Sequence, residues 1–128
     1  MATTADSTRM GPLAPSVLVR LEGAALATLA VYLYVEFGRG WLLFVALILV
    51  PDLSIPVYFA NKQLGAAAYN LVHTYMWPAL LVAFGVGSDS NLMLSIGFIW
   101  FAHIGIDRLL GYGLKYPIDF KQTHIQRL

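Results

Sequence analysis

At 128 residues, 59% of them hydrophobic and 12% charged, with a mean hydropathy of +0.69, the chain is far more apolar than a soluble domain, whose apolar share is about 45–50%. A net charge of +1 gives no reason to expect a nucleic-acid partner, and the absence of cysteine excludes disulfides, thiolate ligands and cysteine nucleophiles. The expectation is one integral membrane domain, nearly filled by spans of about 20 residues each, in which any metal must bind through histidine or oxygen.

Residues 1–15 are small and polar with two prolines, lack the basic start of a removable signal, and are expected to form a mobile tail. Four apolar stretches follow, predicting helices over about 16–37, 41–60, 64–86 and 91–112. The connections at 38–40, 61–63 and 87–90 are only a few residues long, so successive helices must run antiparallel. The fold class expected is all-α, an up-and-down four-helix bundle in the membrane. Pro51 and Pro56 each remove a backbone N–H and free a carbonyl one turn earlier, so the second helix should kink or unwind around Asp52. Residues 113–128 alternate charge with Phe120 and Ile125 and are expected as a short interfacial segment. Gly111-Tyr112-Gly113 lacks the Thr-Val and pore helix of a potassium filter and reads as a helix end with a glycine cap.

Basic residues set the orientation. With both termini cytoplasmic, Arg9, Lys62, Lys115, Lys121 and Arg127 lie inside, while Arg39 and Asp89 lie outside. Trp41, Tyr58 and Tyr116 then fall where interfacial aromatic belts are expected.

Ionisable residues inside apolar spans are costly unless paired or coordinated, so Asp52, His73, His103 and Asp107 demand an explanation. Counted from the cytoplasmic ends at about 1.5 Å per residue, Asp52, His73 and His103 lie roughly 12–13 Å deep, Glu22 roughly 9 Å and Asp107 roughly 8 Å. The outer halves, such as 42–50 and 79–86, hold no ionisable residue. The expected site is therefore one buried polar layer near the cytoplasmic leaflet. His103 and Asp107 share a helix face at i, i+4, and Asn70 and His73 do so at i, i+3.

Three chemistries use this set. A divalent metal, Zn²⁺, Mn²⁺ or Fe²⁺, held by Asp52, His73, His103 and Asp107 makes a metal-dependent hydrolase, with Glu22 as candidate general base and Arg108 stabilising a phosphate or carboxylate on the substrate. A b-type haem would take His73 and His103 as axial ligands. An acid-catalysed cyclase of a lipid-like substrate would use Asp52 or Glu22 as a proton donor with a raised pKa. The alternative from another class is a non-catalytic membrane subunit or homo-oligomer, in which the buried polar residues are interhelical glue and the small residues of 23–30 and 65–68 let helices or protomers approach closely. Tyr69, Tyr75 and Trp100 are expected as packing residues, and Arg108 as a basic residue at a helix end.

Taken together, Pro51-Asp52-Leu53-Ser54, Tyr69-Asn70-x-x-His73-Thr74-Tyr75-x-x-Pro78 and His103-x-x-x-Asp107-Arg108-x-x-Gly111-Tyr112-Gly113-Leu114-Lys115-Tyr116 resemble a small bacterial membrane-protein family catalogued as a domain of unknown function. The resemblance covers about 17–126 and implies a four-span protein of the bacterial inner membrane, without an activity. The order Pro-Asp, His near Thr, then His-x-x-x-Asp is also similar to membrane-bound metal-dependent hydrolases, and implies Asp52, His73, His103 and Asp107 as metal ligands. That family carries a second acid where this chain has Ser54 and a further His where it has Tyr75. The function expected is a metal-dependent hydrolase acting on a lipid-soluble or interfacial small molecule, alone or as a subunit of a larger membrane complex.

Overall fold

The computed structural model describes residues 13–112. The expected tail, apart from its last three residues, and the expected interfacial segment 113–128 lie outside this range.

Pro15 opens the first helix, α1 (Pro15–Phe37), at a position where its missing N–H has no intrahelical partner to lose. The second helix comes in pieces: α2 (Trp41–Leu47), a 3-10 turn (Val50–Ser54) and α3 (Ile55–Ala60). The third is α4 (Lys62–Val72) and α5 (Met76–Gly87), and the fourth is α6 (Asn91–Leu109). Among the described residues there is no strand, so the chain is an all-α, four-helix structure.

Caps mark the turns. Asn61 accepts from the backbone N–H groups of Gln63 and Leu64 at 2.9 and 3.1 Å and starts α4, and Ser90 accepts from Met93 N–H at 3.3 Å and starts α6. At the first turn the Tyr34 hydroxyl donates to the Gly40 carbonyl, and the Tyr34 ring packs against Trp41 and Phe44. Gly111, at φ +93°, takes the left-handed conformation that ends α6, as a capping glycine does.

The unbroken third helix expected over 64–86 is not what forms. Pro78 has no N–H for the carbonyl of Thr74 and its ring would clash there, which kinks or ends an α-helix; here it ends it, Pro78 sitting in the first turn of α5 and the chain leaving helix over 73–75. The second helix breaks for the same reason at Pro51 and Pro56, as expected. In consequence, among the described residues α1 and α6 are the two helices long and apolar enough to cross a membrane, with 41–57 a shorter apolar stretch.

α6 is the centre of the structure. Its buried positions include Ser95, Phe98, Ile99, Ala102, His103 and Ile104, and α1, α2 and α5 all pack on it. The α1–α6 contact is close because both helices present small residues: a Cβ on Gly105 would stand 2.5 Å from the Gly23 carbonyl oxygen and 2.8 Å from the Ala27 nitrogen. The small residues of α1 are thus used within the chain. Elsewhere the surface is apolar, with Leu42, Phe59, Leu53, Val45 and Val86 each more than two-thirds exposed, a distribution that water disfavours and hydrocarbon does not.

Gly105→Ala is expected to force the helices apart and cost about 1–3 kcal/mol, read as a lowered unfolding midpoint in detergent. Gly87→Ala, whose Cβ would meet nothing within 4 Å, should stay within about 0.5 kcal/mol of the parent.

Candidate metal centre

The two breaks and the central helix meet at one point. Asp52 comes from the 3-10 turn, His73 from the residue that ends α4, and His103 and Asp107 from one face of α6. Nε2 of His73 lies 3.1 Å from Nε2 of His103. Each of these nitrogens is 3.1–3.3 Å from a carboxylate oxygen of Asp52 and of Asp107. All four ligand atoms lie within 4.8 Å of one another.

Both imidazoles are oriented from behind. Nδ1 of His73 donates to the Tyr69 carbonyl at 2.8 Å, and Nδ1 of His103 donates to the Ile48 carbonyl at 2.5 Å. A carbonyl only accepts, so in each neutral ring the proton sits on Nδ1 and the Nε2 lone pair faces the cluster. The Tyr69 ring stacks on His73 with centroids 3.7 Å apart and planes 9° from parallel, fixing the ring's tilt.

The availability of the Ile48 carbonyl follows from the proline. In a continuous α-helix it would accept from Asp52 N–H; here Pro51 brings on a 3-10 turn, and Asp52 N–H donates to Leu49 O instead, at 3.0 Å. The break that presents the Asp52 carboxylate therefore also releases the oxygen that holds His103. At the second break, Val72 has a carbonyl at the end of α4 that accepts from the Trp100 indole N–H at 2.6 Å, tying that break to α6.

The set could hold a metal ion. With nitrogen and oxygen ligands at about 2.0–2.1 Å, the edges of a tetrahedron are about 3.3–3.4 Å; the five His–His and His–Asp separations span 3.1–3.3 Å, and the Asp52–Asp107 edge is wider, within 4.8 Å. Two carboxylates and two neutral imidazoles sum to two negative charges, the complement of a divalent cation. His73 and His103 are 3% and 4% exposed, against 18% for Asp107 and 33% for Asp52, so access is from the Asp52 side.

All four residues singled out in the sequence as ligands are thus brought together. Glu22 and Arg108 are not among them. Glu22 is exposed on α1, while Arg108 stacks over the Tyr75 ring at 4.5 Å and has its Cβ against Gly23. The two positions at which membrane-bound hydrolases carry further ligands are engaged elsewhere: the Ser54 hydroxyl donates to the Pro51 carbonyl at 3.0 Å, and Tyr75 packs on Phe101. Haem does not fit, because a porphyrin needs its axial nitrogens on opposite faces, about 4 Å apart with the macrocycle between them, whereas here they are 3.1 Å apart with both carboxylates against them. Missed in the sequence were the Ile48 and Tyr69 carbonyls and the Trp100 indole; the prolines alone signalled that carbonyls nearby would be released.

The family model described as Domain of unknown function (DUF4260) matches residues 16–128. The chain belongs to that family. No curated protein and no solved structure matches it.

Pro51→Ala should let α2 continue, return Asp52 N–H to the Ile48 carbonyl and release His103. Divalent-metal affinity, measured by competition with a chromophoric chelator, is expected to fall about 10- to 100-fold, the usual effect of losing such a supporting contact.

Proposed function

We propose that this protein is a multi-pass membrane metalloprotein in which Asp52, His73, His103 and Asp107 hold one divalent cation, Zn²⁺, Mn²⁺ or Fe²⁺, and that it is a hydrolase of a lipid-soluble or interfacial small molecule. The observation that carries the reading is the convergence of two Nε2 lone pairs and two carboxylates at 3.1–3.3 Å, with both Nδ1 protons committed to backbone carbonyls. Four electron-pair donors in an apolar bundle need a positive charge at their centre. A divalent ion supplies that charge at one point shared by all four groups, whereas protons supply it as N–H groups on the two Nε2 atoms, 3.1 Å apart and each set against both carboxylates.

The ligand set suits a mononuclear site, and a divalent ion in it supplies Lewis-acid polarisation of a carbonyl or phosphoryl oxygen and of water. The chain's own residues do the remainder. Asp52, the most accessible ligand, borders the approach; Glu22 serves as general base, and Arg108 as the cation for a phosphate or carboxylate on the substrate, both near the end of the bundle where Arg20 of α1 donates to the Leu109 carbonyl of α6 at 2.9 Å. The cyclase reading is weaker, because nothing in the cluster sets Asp52 apart as an acid: its carboxylate and that of Asp107 face the same two imidazoles at 3.1–3.3 Å. As an accessory subunit the protein would use the same four residues only to join its helices.

Location belongs to the same proposal: the inner membrane of a bacterium, with both termini cytoplasmic and the metal layer nearer the cytoplasmic leaflet, an arrangement supported by the basic residues at 62 and 115–127.

Elemental analysis of the purified chain should find about one divalent transition-metal ion per molecule, falling to near zero in His103→Ala with the helix content retained. A metal-free parent that keeps its fold would leave the four residues as glue. Because the chain has no cysteine, Ser88→Cys and Lys62→Cys report topology cleanly. A membrane-impermeant maleimide added outside intact spheroplasts should label the first and not the second; the reverse pattern would invert the orientation.

A further inference from the structure

A half-open apolar cavity of about 240 Å³ adjoins the metal centre. Its walls are neighbours of the ligands in sequence. Pro51 and Val72 immediately precede Asp52 and His73, Ile99 and Trp100 lie one turn before His103 on α6, and Leu47 precedes Ile48, whose carbonyl holds His103. The cavity therefore lies beside the cluster and extends along α6 from Ile99 and Trp100 to Ile96, one turn further from the ligands.

Its chemistry is one-sided. No wall side chain is charged, and the only side-chain hydrogen-bond donor among them, the Trp100 indole N–H, is already taken by the Val72 carbonyl at 2.6 Å. A polar occupant would find no side-chain partner there and would lose its own hydrogen bonds on entry. The volume is about eight times the ~30 Å³ that a water fills in the liquid, enough for a medium-length hydrocarbon segment.

Resting on the metal-centre reading above, we propose that the substrate is a single-chain amphiphile whose aliphatic tail fills this cavity while its polar group, bearing a metal-coordinating oxygen, meets Asp52, His73, His103 and Asp107. The layout matches how such a molecule lies in a leaflet, with the polar group toward the end of the bundle where α1 begins and α6 ends, and the tail toward the middle. A tail that leaves lipid for an apolar cavity gains little from the hydrophobic effect, so selection here is by length and shape.

The test uses the full chain, loaded with Co²⁺ and reconstituted in phosphatidylcholine nanodiscs. The visible spectrum of the bound Co²⁺ is followed on titration with butanohydroxamic and octanohydroxamic acids, each expressed as its measured concentration in the membrane phase. The octano compound should act at about one-tenth the concentration of the butano compound. Ile96→Trp, which fills the end of the cavity two turns of α6 before His103, should abolish that preference and leave Co²⁺ stoichiometry and the ligand-free spectrum unchanged. Ile96→Ala, which enlarges the cavity, should move the preference to longer chains. Stoichiometric Co²⁺ with equal response to both chain lengths, or a preference indifferent to Ile96, overturns the tail site while the metal centre stands. Failure of the parent to bind Co²⁺ overturns both.

Discussion

Two imidazoles and two carboxylates gathered within 4.8 Å of one another, inside an apolar bundle, form an arrangement that needs positive charge among them, whether from protons on the imidazoles or from a bound cation. Without it the lone pairs and the carboxylate charges repel, and the surroundings offer little screening. Much of the local structure around the site can be understood as the means of holding that arrangement in place: protons fixed on the far side of each imidazole, a tyrosine ring flat against one of them, and two helix interruptions stitched to a central helix by hydrogen bonds to freed carbonyls.

The interruptions and the rigid elements divide the work. α6 is an unbroken rod that carries His103 and Asp107 at a spacing its own geometry guarantees, and the close contact of Gly105 with Gly23 locks it to α1. The second and third helices give up continuity at Pro51, Pro56 and Pro78. An irregular backbone at such depth is tolerated where its polar groups find partners, and here they do: Ile48 O from a histidine and Val72 O from a tryptophan. The same carbonyls that a break exposes thus become the supports of the site. Adjacent to this polar point the cavity wall is hydrocarbon, so two opposite chemistries meet within one turn of each broken helix.

Much of this was legible in the sequence. Apolar run lengths and short connections identified four helices, because burial of backbone polar groups in an apolar medium leaves few other solutions. Ionisable residues in such runs are rare enough that Asp52, His73, His103 and Asp107 stood out by their cost alone. The third helix was read as continuous although Pro78 was in view, since a proline within an apolar run can kink a helix or end it, and run length does not say which. Glu22 was named as general base from its depth and Arg108 as substrate cation from its charge next to Asp107; both lie off the four-residue cluster, because position along a helix does not determine the direction in which its side chain points.

What the sequence by itself determined was the class of the fold, the break around Asp52 and the identity of the four donors, all of which depend on local covalent geometry and on the free energy of placing each residue type in an apolar medium. Only the tertiary structure decided that donors from three separate segments meet at 3.1–3.3 Å, that the Ile48 and Tyr69 carbonyls set both tautomers, and that a hydrocarbon cavity lies alongside. Those facts depend on the rotation of each helix about its own axis and on the close packing of α1 on α6. Such packing is a property of pairs of surfaces, and no single stretch of chain contains it.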